Sequence, residues 1–151
     1  MNQPTDIQSE VRDFVNKCKT VILSTVSQQA EPNASYAPFV THDKAIFILI
    51  SGLAKHTSNL LSSNRCHAMF IADESDSVNV FARKRVSYTC DVASIPRDEQ
   101  LAAIIFEKLQ ERFGPTIGML VSLPDFQLVR LIPRDGVWVR GFAQAISVNG
   151  L

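Results

Sequence analysis

The chain has 151 residues, 46% hydrophobic and 20% charged, which suits one folded domain with a sizeable core and excludes a disordered segment. Fifteen Lys and Arg offset fifteen Asp and Glu, so no whole-molecule field draws in nucleic acid or an anionic membrane, and any anionic ligand must be held by a local cluster. The opening MNQPTDIQSEV lacks the basic-then-apolar order of a secretory signal, and the longest apolar run, AIFILI at 45–50, is too short to span a bilayer. Cys18, Cys66 and Cys90 are widely spaced and read as buried or incidental thiols of a reducing compartment. The expectation is a cytoplasmic protein without nucleic-acid or membrane partners.

In chain order, Ile7, Val11, Phe14 and Val15 recur at helical spacing behind an Asp6 cap, which predicts an N-terminal helix within residues 1–18. TVILSTV (20–26) reads as a strand, and ASYAPFVT (34–41) as a second after the turn SQQAEPN. Pro38 has no amide to give, which places it at an edge or a bulge. AIFILIS (45–51) completes a meander, a short helix follows over 56–63, and RCHAMFIA (65–72) is the fourth strand. Beyond the acidic loop DESDS, the basic Arg83-Lys84-Arg85 opens a fifth strand (86–95), in which Val86, Tyr88, Cys90 and Val92 share one face. The stripe Leu101, Ile104, Ile105, Leu109 and Phe113 marks a helix stopped by Gly114-Pro115, and with TIGMLVSL it forms a helical insert over 97–122. FQLVRLI (126–132) and VWVRGFAQAISV (137–148) close the chain, with Pro133-Arg134-Asp135-Gly136 read as a hairpin turn and Gly141 as a bend or bulge. About seven short-looped strands imply an α+β fold, a small antiparallel barrel with peripheral helices, in one domain over 1–151.

Two basic groups are candidates for an anion. Lys55, His56 and Thr57 open the short helix, where free amides add partial positive charge. Thr57, Ser58 or Asn59 is expected to cap it, and the alternative is a solvated turn. Strand alternation points Arg83 and Arg85 to one side, as paired acceptors such as a phosphate or a propionate require, unless the acidic run 73–76 simply neutralises them. Ser35 and Tyr36 beside Pro38, with Ser51, offer polar groups to a planar ring, against a packing role for Tyr36. His67 is read as packed and His42 as exposed in a turn. No histidine or cysteine pair has metal-ligand spacing, so no metal site is assigned. G-x-S-x-G, P-loop and G-x-G-x-x-G motifs are absent.

ASYAPFV, SGLAKHTSNL, FARKRVSY, SLPDFQLVRL and VRGFAQA occur in an order that resembles the haem-utilisation (HugZ/HutZ-type) branch of the pyridoxamine 5'-phosphate oxidase-like split-barrel family, from about Thr20 to Val148. The resemblance implies a split β-barrel that forms a homodimer with ligand sites between subunits, holding haem or flavin mononucleotide (FMN). It places Arg85 where the haem branch has an arginine near a propionate. It also places Asp125 where an aspartate hydrogen-bonds the iron-ligating histidine, making Asp125 the candidate catalytic residue. That histidine comes from beyond the last strand, and none follows Val148 here. Flavin-binding relatives seat the cofactor phosphate near Lys55 to Asn59. The candidate cofactor set is therefore Ser35, Tyr36, Ser51, Lys55, His56, Thr57, Asn59, Arg83 and Arg85. The Arg-x-His pair that holds pyridoxamine phosphate is missing from VWVRGFAQA, which disfavours vitamin synthesis. The expected function is a dimeric haem-binding protein, with haem degradation as its extension. The alternatives are an FMN-dependent oxidoreductase and a non-catalytic binding or storage dimer.

Overall fold

A computed structural model describes residues 4–151, with side chains described from Asp6 onward. The element order is α1 (Pro4–Lys17), β1 (Thr20–Val26), β2 (Pro32–His42), β3 (Ala45–Ser51), α2 (Lys55–Ser63), β4 (Arg65–Ile71), β5 (Arg85–Ile95), α3 (Gln100–Phe113), α4 (Thr116–Ser122), β6 (Phe126–Gly141) and β7 (Gln144–Asn149). The strands form one antiparallel sheet in the order β3-β2-β1-β4-β5-β6-β7, and an extra β3–β6 pairing closes six of them into a barrel. The fold is α+β, as the sequence predicts.

The uninterrupted apolar run of β3 has a physical reason. Ile46, Ile48 and Ile50 fill the barrel interior with Val21, Leu23, Phe39, Phe70, Tyr88 and Trp138. Phe47 and Leu49 face outward into a second core, where Ala102, Ile105 and Leu109 of α3 and Ile117 of α4 cover them. A strand buried on both faces does not alternate. The Arg112 guanidinium ties α3 to the barrel by donating to the carbonyls of Asn16, Cys18 and Phe39.

β2 explains Pro38. Residues 32–38 pair with β1, and pairing with β3 begins only at Phe39. Pro38 is the last residue before the switch, so its missing amide costs no ladder bond on the open edge. That open half of β2 is the split in the barrel.

Four expectations are corrected. The N-terminal helix begins at Pro4, so Asp6 lies in its first turn rather than capping it. Residues 133–136 are not a hairpin turn: β6 runs through them, and the reversal falls at Phe142-Ala143 between β6 and β7. Tyr88 pairs with Gly136 and Cys90 with Pro133, so β6 carries an extra residue there, a β-bulge. Gly136 is needed for close approach, since a Cβ there lies 2.5 Å from both the Ser87 carbonyl oxygen and the Tyr88 ring. Third, His67 is not packed: it shares its strand face with Met69, and that face is the outer one, where His67 is exposed. Fourth, His42 ends β2 half-buried, 3.4 Å from the Asp43 carboxylate, with Lys108 Nζ 3.3 Å from its Nδ1. Gly141 does mark a register shift. Among the described residues no helix is long and apolar enough to cross a membrane.

Candidate functional site

The predicted residues fall into two places. The first surrounds the start of α2. That helix has Ala54 at its N-cap, with no side-chain cap bond, so Thr57, Ser58 and Asn59 do not cap it. They lie one turn in and bond elsewhere. Thr57 Oγ1 donates to the Ser51 carbonyl, Ser58 Oγ donates to the Lys55 carbonyl at 3.0 Å, and Asn59 Nδ2 donates to Thr25 Oγ1 at 3.1 Å. Thr25, Thr57 and Asn59 are the buried polar residues among those described, and all three belong to this network. Buried polar groups are held only when paired, so the network fixes the helix against β1 and the end of β3.

Asp125 belongs to the same network. Ser51 Oγ donates to its Oδ2 at 3.3 Å, and the Gly52 amide donates to its carbonyl at 2.7 Å. The contact is close enough that a Cβ on Gly52 lies 2.6 Å from that oxygen. In this chain Asp125 anchors the β3–α2 loop.

His56 points from α2 to the open half of β2, its Nδ1 2.8 Å from Ser35 Oγ. Burial holds the imidazole below its ordinary value of 6.5, so the ring is neutral at physiological pH and its Nε2 is left for another partner. Lys55 is exposed beside it and lines a polar cavity of about 410 Å³ with Asn33, Ser58 and Ser62. Here Ser35, Ser51, Lys55, His56, Thr57, Asn59 and Asp125 come together.

The second place is the outer face of the sheet. Tyr36 is not packed in the core: it is 66% exposed. It begins a row of directly paired residues, Tyr36, Ile22, Met69, Ser87 and Val137, that crosses β2, β1, β4, β5 and β6. Arg85 lies two residues from Ser87 on the same face, about 7 Å along the strand, flanked by its pairs Ile71 and Val139. Its Nη1 donates to the Arg83 carbonyl at 2.9 Å, and no carboxylate among the described residues pairs with it. Arg83 does not join it. β5 starts at Arg85, so alternation does not reach back to residue 83. The Arg83 Nε donates to the Ala72 carbonyl, and its Nη1 lies 3.5 Å from Glu74. The acidic loop thus neutralises Arg83 and leaves Arg85.

Three strand spacings, about 14 Å, separate β2 from β5, so within a single chain Arg85 does not reach the α2 cluster. Ile22, Met69 and Val137 went unnoticed in the sequence. The available signal was that TVILSTV carries apolar residues at both parities, more than one buried face requires. Cys66 and Cys90 oppose each other inside the barrel; their mutual hydrogen bond and burial push the Cys90 thiol far up, which makes it unreactive. No group of three or more potential metal ligands occurs among the described residues.

Comparison with known proteins agrees with this architecture. Residues 7–140 match the family model for pyridoxamine 5'-phosphate oxidase. The chain is 40% identical to the heme oxygenase HutZ of Vibrio cholerae, over 95% of this chain and 82% of that protein. A crystal structure of HutZ from the same organism, described as a heme storage protein, superposes with a TM-score of 0.80 at 34% identity, covering 95% of this chain and 94% of the other. Campylobacter jejuni ChuZ superposes with a TM-score of 0.90 at 29% identity, with 99% of this chain covering 61% of that one. With a barrel of the same design and a match over nearly its whole length, the chain belongs to the pyridoxamine 5'-phosphate oxidase-like family, in its HutZ-type branch.

Proposed function

We propose that this protein binds haem on the outer sheet face, between two copies of the chain. The observation that carries the reading is the row Tyr36, Ile22, Met69, Val137 with Arg85 beside it. A porphyrin needs an apolar slab for its ring and a cation for its propionates, and this face supplies both. Tyr36, Ile22 and Val137 are 66%, 36% and 44% exposed in a single chain, and exposed apolar residues gathered on one face, with Ser87 between Met69 and Val137, mark a surface that is covered in the working assembly. A second copy covers it most simply, and the homodimer then closes the site against water.

The chain's own residues have defined tasks in this reading. Arg85 neutralises a propionate, the apolar row orients the ring, and neutral His56, held by Ser35, offers Nε2 to whatever approaches the open half of β2. Haem, when bound, supplies an iron centre for oxygen or electron chemistry. HutZ is described both as an oxygenase and as a storage protein, so binding is the shared step and degradation is the further one. Asp125, committed to Ser51 and the β3–α2 loop, is assigned a positioning role.

An FMN reading has its own support. Lys55 is exposed with no acidic partner among the described residues, and the α2 N-terminus has no side-chain cap bond, an arrangement suited to a phosphate. Titration of the purified protein with haemin and with FMN, followed by visible absorption, separates the two. The proposal expects a Soret band that saturates at one haem per chain. Flavin bands with no haem response overturn it. Adding ascorbate in air to the haem complex then tests degradation: loss of the Soret band with release of iron marks an oxygenase, and a stable band marks storage.

A further inference from the structure

The barrel has a second basic recess, far from Arg85, between the β2–β3 turn, the middle of β6 and the C-terminal residues. Its volume is about 440 Å³. Lys44, Arg130 and Arg134 line it, and Asp43 is the one acidic side chain in the lining. Arg134 is already paired with Asp91 at 2.7 Å, so Arg130 and Lys44 are the cations of the lining without an acidic partner among the described residues.

Arg130 is the anomaly. The other half-buried arginines all donate within the protein: Arg83 to Ala72, Arg85 to Arg83, Arg112 to three carbonyls and Arg140 to Glu10. Arg130 sits in β6 between Phe47 of β3 and Ala93 of β5, and its Nε is buried with no partner among the described residues. Only three buried side-chain polar atoms lack a partner there, and a second of them, Gln8 Oε1, belongs to another residue lining this recess. A buried donor or acceptor left unmade costs about 1–3 kcal/mol, so two in one cavity point to something that satisfies both.

We infer that this recess is an anion site that takes a phosphate group, free or as a small phosphomonoester. Arg130 and Lys44 meet the oxyanion, Arg134 adds to the field from the rim, and Gln8 Oε1 accepts the remaining O–H of a hydrogen phosphate or of a neighbouring ligand hydroxyl. A sulfate, with no O–H at neutral pH, leaves Gln8 unmet and is bound less well. The site is independent of the haem reading, since its residues lie on neither the outer apolar row nor the α2 network.

Isothermal titration of the full chain with inorganic phosphate and with glycerol 3-phosphate tests the inference, and the tighter probe tells free anion from monoester. The expected result is saturable binding at one site per chain, weakened about tenfold by Arg130→Met. Haemin binding is expected to be unchanged by that substitution. Lys44 has φ of 64°, a backbone that asparagine tolerates, so Lys44→Asn is the second variant and decides the matter should Arg130→Met not fold. Absence of saturable binding by both probes overturns the inference and leaves water as the occupant. Unchanged affinity in the deciding variant overturns it equally.

Discussion

His56 shows how one side chain reports its surroundings. Because burial depresses its pKa below 6.5, the unfolded chain binds the proton more readily than the folded one. The stability associated with neutral His56 is fully present above its unfolded value and is lost as pH falls through the lower folded value. Thermal unfolding measured from about pH 7.5 to about pH 5 should therefore show a smaller acid loss in His56→Gln than in the parent chain. Equal losses contradict the assignment. The β3–α2 cluster was legible in the sequence because its members are close along the chain or end adjoining strands. What was not legible is who bonds whom. The sequence offers Thr57, Ser58 or Asn59 as the cap, yet Thr57 and Asn59 turn inward to Ser51 and Thr25, a choice set by the barrel wall rather than by the helix. Alternation carried back from β5 points Arg83 and Arg85 the same way, but the strand starts at Arg85 and the acidic loop claims Arg83.

Among the elements, β6 is the instructive one. Pro-Arg-Asp-Gly has every residue preference of a reverse turn, but long pairing with β5 on one side and β7 on the other carries the strand through it. Tertiary pairing overrides local chemistry there, and the surplus residue becomes a bulge. Gly136→Ala forces a Cβ into the Ser87 carbonyl and the Tyr88 ring, and a backbone carbonyl cannot step aside as a flexible side chain can. The expected destabilisation is about 1–3 kcal/mol, seen as a lower Tm in thermal melts, whereas an unaltered Tm contradicts the close-approach role. By contrast, β1 and β3 coincide with their predicted spans, and β5 does so within one residue, because a run rich in β-branched residues, a continuous apolar run and a clear alternation each leave few alternatives. In β4 both parities carry apolar residues, and only the neighbouring strands decide that Cys66, Ala68 and Phe70 face the core while His67 and Met69 face out.

At the scale of the whole molecule, the proposed haem site and the proposed dimer interface share one exposed sheet face. If the outer row is a subunit interface, a charge in its middle should split the assembly while sparing the barrel, because Ile22 is already 36% exposed. Light scattering of Ile22→Asp should give the monomer mass where the parent chain gives a dimer, with far-ultraviolet circular dichroism unchanged. A parent chain that is itself monomeric contradicts the interface. The central claim, that this face holds haem with Arg85 as its propionate partner, is tested most directly by titrating haemin into Arg85→Ala beside the parent chain and Lys55→Ala. Losing a charge-assisted pair should weaken haem binding about tenfold or more in Arg85→Ala, with Lys55→Ala behaving like the parent. Equal haem affinity in Arg85→Ala and the parent chain would contradict it.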